Sequence, residues 1–163
     1  MSADTNPFPN DPDRHALWEM LVRRDIEAFL RADWAGVADD FIATHFFGLG
    51  GAKSSNPDDW RMLFPRLEDY RDRWLSQARL SAETSYAEPR REALFRATRL
   101  EEIDISGNRA LAHKKFDGHV ARTDGKADII NWQTLYLCSR ADGGWKITGF
   151  LGYLPNPMGY DEG

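Results

Sequence analysis

From Leu17 to Leu30 the apolar side chains fall at Leu17, Trp18, Met20, Leu21, Val22, Ile26, Phe29 and Leu30. That is helical spacing with an unusually wide apolar stripe, which predicts a helix buried against something broad, such as a sheet. Asp11-Pro12-Asp13 opens it, with proline near the first turn and acids at the positive end. Asp33 reads as the cap of a short second helix, Trp34 to Phe41. Phe46 to Gly51 is apolar and glycine-rich and reads as a short strand or a bend, followed by a loop over residues 50–57. Asn56-Pro57-Asp58-Asp59 is a further helix start, and the helix is expected to run on to about Leu80, divided by Pro65.

After Pro89 the pattern changes. Arg91 to Ile105, Asn108 to Arg122, Ala127 to Arg140 and Gly144 to Leu154 all favour strand, separated by Ser106-Gly107-Asn108, Thr123-Asp124-Gly125 and Ala141-Asp142-Gly143-Gly144. Such connections predict an antiparallel meander, and helices followed by strands predict an α+β fold. In the third strand Ile129, Asn131, Gln133, Leu135 and Leu137 share one face, and Ile130, Trp132, Thr134, Tyr136 and Cys138 the other. Both faces are substantially apolar. One packs on the helices; the other needs a second cover, so a homodimer through the outer sheet face is expected.

Composition narrows the function classes. A chain of 163 residues suits one domain, expected over residues 13–155 between a flexible N-terminal arm, residues 1–12, and a C-terminal tail, residues 156–163. A net charge of −5 argues against non-specific nucleic-acid binding, which needs Lys and Arg on phosphates. The single cysteine, Cys138, allows no intrachain disulfide and reads as a small strand filler. With no signal-peptide pattern and no run long enough to span a membrane, a cytoplasmic protein without membrane partners is expected. Six Trp, nine Phe and five Tyr are enough rings to line a pocket as well as a core.

Several segments carry a resemblance. They are Ala28-Phe29-Leu30-Arg31-Ala32-Asp33-Trp34 with Val37 and Phe41, and the hairpin from Leu135 through Asp142-Gly143-Gly144-Trp145-Lys146-Ile147. In their order and spacing they resemble the nuclear transport factor 2-like superfamily, in particular its SnoaL-like bacterial members, over roughly Asp13 to Pro155. The resemblance implies a cone: a strongly bent antiparallel sheet wrapped around the N-terminal helices, with a central pocket, usually in a homodimer. Relatives include isomerases, dehydratases, cyclases, epoxide hydrolases, oxygenase small subunits and non-catalytic binding domains, so the fold leaves function open. Where ketosteroid isomerase-like members carry a carboxylate base, this chain has Leu49-Gly50, and neither takes a proton.

Candidate chemistry is therefore read residue by residue. Asp25 falls on the stripe of Trp18, Val22 and Phe29; an inward acid there acts as a base or forms a salt bridge to a nearby arginine. His45 reads either as an acid or base at the pocket mouth or as a loop histidine packed beside Phe46. Asn131 and Gln133 share a face with leucines, so their amides are candidates for buried groups that meet a ligand. Trp18, Tyr70 and Trp74 lie on helical faces that close over the sheet, as core or as an aromatic pocket wall. His113, Lys115, Asp117 and His119 form a polar row that faces either inward or, with Ala112, Phe116 and Val120 in the core, outward. Asp40 reads as a solvated or capping acid. No ligand spacing for a metal is present, and no nucleotide, phosphate or nucleophile motif, so neither metal nor cofactor is expected. The resulting expectation is a small, largely apolar ligand, handled either by cofactor-independent acid–base chemistry (isomerase, cyclase or dehydratase) or by a non-catalytic binding or dimeric interaction module.

Overall fold

The computed structural model describes residues 2–155, so the expected C-terminal tail lies outside the described residues. Asp11 caps the first helix as expected: its side chain accepts the Arg14 backbone N–H at 3.1 Å, with Pro12 in the first turn. The helix runs as α1 (Pro12–Trp18), a π-helical stretch (Glu19–Arg24) and α2 (Asp25–Leu30). Its apolar stripe is as wide as the sequence indicates, with Leu17, Met20, Leu21, Val22 and Ile26 all buried. The N-terminal arm is tied down: Arg91 pairs with Asp4 at 3.3 Å, and Asn6 donates to Glu19.

Two expectations about helices fail. The second helix is only α3 (Ala35–Ala38), preceded by Trp34 with no side-chain cap. Asn56 does accept the Asp58 N–H, but it caps a single 3-10 turn (Pro57–Asp59) that leads into a strand. That strand, β2 (Arg61–Phe64), hydrogen-bonds to β1 (Phe47–Gly50), because the backbone groups of an edge β1 need a partner that a helix cannot supply. α4 (Leu67–Glu83) starts only after Pro65.

The segment expected to be strand from Arg91 to Ile105 is also divided. Arg90–Ala97 is helix α5, and β3 (Thr98–Ser106) follows. Ala93, Ala97, Val120 and Ile130 form the seam between α5 and the sheet. Small residues there let the helix approach closely: a Cβ on Gly118 would sit 2.7 Å from Ala97 Cβ.

β4 (Arg109–Ala121), β5 (Ala127–Ala141) and β6 (Gly144–Leu154) complete a six-stranded sheet of order β2-β1-β6-β5-β4-β3. The β3-to-β6 meander is antiparallel as expected, with Gly107, Gly125 and Gly143 at positive φ in its turns. β1 pairs parallel with β6, so the sheet is mixed, which corrects the wholly antiparallel expectation. Nor is the sheet strongly curled; its register breaks are local bulges, as between Leu100 and Glu102. No helix among the described residues is long and apolar enough to cross a membrane.

Candidate functional site

Between the helices and one face of the sheet lies a cavity of about 400 Å³. Side-chain periodicity explains its wall. On α4, Tyr70, Trp74, Gln77 and Ser81 recur at three- and four-residue intervals and so share one helical face, with Thr84 following at its C-cap. On β5, Asp128, Ile130, Trp132, Thr134 and Tyr136 alternate and share one face of the strand. α2 adds Asp25, Ile26 and Phe29, and α5 adds Arg90 and Leu94.

At one end the wall carries a charge. Lys114, on the inward face of β4 between Ala112 and Phe116, is 1% exposed. Its ammonium lies 3.1 Å from Asp25 Oδ2 and donates to the Leu21 carbonyl, over the rings of Phe116 and Tyr136. The indole Nε1 of Trp74 donates to Asp25 Oδ1 at 3.2 Å. Asp25 is thus an oriented carboxylate, answered by a buried cation, in the wall of an aromatic cavity. The salt bridge expected for it exists, but with lysine and not arginine.

Three phenols converge on the same region. Burial pushes the Tyr70 hydroxyl well above its ordinary value, helped by Tyr136 and Asp25. Burial does the same to Tyr136, with Asp25 and Tyr153 contributing, and Tyr153 is raised chiefly by burial. All three are therefore protonated near neutral pH and available as hydrogen-bond donors. Tyr153 reaches the cavity because its backbone is left-handed (φ 55°), beside a break in the β5–β6 register.

The other end is a polar chain. Arg90 donates to Ser81 Oγ at 2.8 Å, and Ser81 Oγ lies 3.3 Å from the Tyr86 hydroxyl. Tyr86 donates to Asp128 at 2.5 Å, and Arg122 pairs with Asp128 at 3.2 Å. The Tyr86 pKa is raised, by burial first and then by Asp128.

Of the residues singled out from sequence, Asp25, Tyr70 and Trp74 line the cavity. Trp18 does not: it is buried in the main core under the Arg23 guanidinium. His45 is exposed, in a left-handed turn (φ 70°) before β1, and does not line the cavity. Asn131 and Gln133 lie on the outer sheet face, because β5 turns its aromatic alternates inward. Gln133 is buried there by the Pro155 carbonyl and His113, and Asn131 Oδ1 is buried without a partner among the described residues. His113, Lys115, Asp117 and His119 also face outward. Asp40 is buried and held by Arg24 at 2.8 Å, not solvated.

Sequence reasoning passed over Lys114. The alternation that put Ala112, Phe116 and Val120 inside also puts Lys114 inside, and that was the available signal. Among the described residues, no group of three His, Cys, Asp or Glu side chains gathers to hold a metal ion.

No family model and no curated protein matches the sequence. Solved structures do match the fold. A nuclear transport factor 2-like protein of unknown function from Pseudomonas putida superposes with a TM-score of 0.55 at 13% identity, over 90% of this chain and 86% of that one. A domain with a cystatin-like fold from Nostoc punctiforme gives 0.52 at 18% identity, over 88% and 77%. A structure from Novosphingobium aromaticivorans, provisionally assigned as an aromatic ring hydroxylase, gives 0.52 at 16% identity, over 88% and 89%. With helices first, a six-stranded mixed sheet after them and these neighbours along most of its length, the chain has the nuclear transport factor 2-like, cystatin-like fold.

Proposed function

We propose that the protein binds a small, largely apolar and ring-containing molecule in the cavity and moves a proton on it without a cofactor. The observation that carries this reading is Asp25: a carboxylate oriented by Trp74 and Lys114, facing an aromatic cavity where three protonated phenols converge. In this scheme Asp25 takes a proton from a carbon next to a carbonyl. One or more of Tyr70, Tyr136 and Tyr153 donates to the oxygen that becomes the enolate, and the carboxyl returns the proton elsewhere on the substrate. Isomerisation, dehydration and cyclisation all share that first step, in keeping with the SnoaL-like resemblance. The aromatic lining also suits the substrate class that the Novosphingobium aromaticivorans protein's provisional name implies for that protein.

The test is α-proton exchange on 2-tetralone in D₂O, followed by NMR. Catalysed exchange that disappears in Asp25→Asn is the expected result. Exchange no faster than in buffer, or equally fast in the variant, contradicts the reading.

A second reading, an interaction module, is favoured by the outer sheet face. Leu111 and Leu137 sit opposite one another there, at 41% and 39% exposure. A homodimer through that face is the form this takes, compatible with a ligand in the cavity on the other side. A cytoplasmic location belongs to the same proposal, supported by a single, buried cysteine.

A further inference from the structure

Four charged side chains line the cavity: Asp25, Arg90, Arg122 and Asp128. Three of them are answered inside the chain. Asp25 pairs with Lys114, and Arg122 pairs with Asp128 and also with Asp124. Arg90 differs. Its guanidinium donates to two neutral oxygens, Ser81 Oγ and the Leu30 carbonyl, both at 2.8 Å, and it forms no ion pair among the described residues. A guanidinium carries five N–H donors, so these two bonds hold its plane while leaving donors for a further partner.

The surroundings fix the guanidinium in place. Ser81 ties it to the Tyr86–Asp128–Arg122 chain, and Leu30 ties it to the C-terminal end of α2. A half-buried, oriented arginine without an ion-pair partner, in the wall of a cavity whose other charges are paired, matches a planar anion, to which the guanidinium fork binds with two parallel hydrogen bonds.

We infer that Arg90 is the anion anchor of the cavity and that the ligand is a small aromatic or alicyclic carboxylate. The inference rests on the cavity being the ligand site and adds the substrate class. The carboxylate sits on Arg90, and the ring lies against Phe29, Leu94 and Trp132. Leu30 is five residues beyond Asp25 on α2, roughly 8 Å along the helix axis. A fused-ring carboxylate held at Arg90 therefore extends along the cavity towards its Asp25 end.

The test is isothermal titration calorimetry with 2-naphthoate and its neutral isostere 2-naphthamide, using the wild-type protein, Arg90→Gln and Arg90→Lys. Charge-assisted bidentate binding predicts 2-naphthoate to bind about tenfold tighter or more, with the preference shrinking as salt is added. Arg90→Gln removes the preference, weakening 2-naphthoate far more than 2-naphthamide; Arg90→Lys, which keeps the charge and loses the fork, retains part of it. Equal binding of acid and amide to the wild type overturns the anchor while leaving the cavity as a ligand site. Binding of neither overturns both. Should Arg90→Gln fail to fold, because Arg90 also caps α2, the wild-type comparison across salt decides alone.

Discussion

Replacing Asp25 with asparagine isolates the charge at the base of the cavity. The amide keeps the shape and leaves an oxygen for Trp74, but it strips Lys114 of its only carboxylate among the described residues. The Lys114 side chain is 1% exposed, so its ammonium has no water to turn to; the Asp25 side chain is 33% exposed. Removing one partner of a fully buried pair costs ~3–5 kcal/mol; partial solvation of the acid reduces this to about 2–3 kcal/mol for Asp25→Asn. In a chain of this size that is a Tm lower by roughly 4–12 °C. Lys114→Met behaves differently, because it places an apolar side chain against Phe116 and Tyr136 and leaves an acid that water can reach. Its cost is below ~1.5 kcal/mol. The double variant is then no less stable than Lys114→Met alone, a coupling of about 2–3 kcal/mol. Urea unfolding of the four proteins, followed by circular dichroism, measures the cycle. If the two single effects add to within ~0.5 kcal/mol, the pair is not the buried unit described and the reasoning fails.

Other expectations concern the rest of the molecule. Asp13 lies below its ordinary 3.8 because Arg140 and then Trp145 donate to it, and Glu88 lies below 4.5, held first by the Ala121 amide and then by Arg96. Groups with depressed folded values contribute stability that is present above the unfolded value and lost as pH falls through the folded one. Stability should therefore decline below about pH 4.5, and the destabilisation by Arg140→Gln should be seen at about pH 5 and fade towards about pH 2, as read by urea unfolding at each pH. Burial pushes the Cys138 thiol up to about 12, so a disulfide reagent at neutral pH should label it only in urea. In Gly118→Ala the new methyl would meet Ala97 Cβ and must shift α5 off β4; a loss of ~1–3 kcal/mol is expected, and no loss would mean that seam is looser than described.

Much of the fold was legible because burial imposes period. The stripe from Leu17 to Leu30 faces the core as its pattern implies, and β5 alternates as a strand should. Three features were not legible, each for a physical reason. Arg90–Ala97 mixes charge with small residues, so its helix is decided by Ala93 and Ala97 packing on β4, a contact distant in sequence. β2 owes its strand to pairing with β1, against a local helix-start signal. On β5 the leucines point to the face of Asn131 and Gln133 as the core side; the aromatic face is the inward one because the helices meet it, and that carries Asn131 and Gln133 outward. In the site, helical spacing found Asp25, Tyr70 and Trp74. Tyr153 escaped, because a left-handed residue beside a register break leaves the period that prediction relies on.

The indole N–H signals report directly on whether the cavity beside Asp25 is a ligand site. Trp74 and Trp132 line the cavity, whereas Trp18 and Trp145 lie in the main core. In ¹H–¹⁵N NMR spectra titrated with 2-naphthamide, the account predicts saturable shifts of the Trp74 and Trp132 indoles, with Trp18 and Trp145 unmoved. Shifts that do not saturate, or that appear at Trp145 and leave Trp74 untouched, would contradict it.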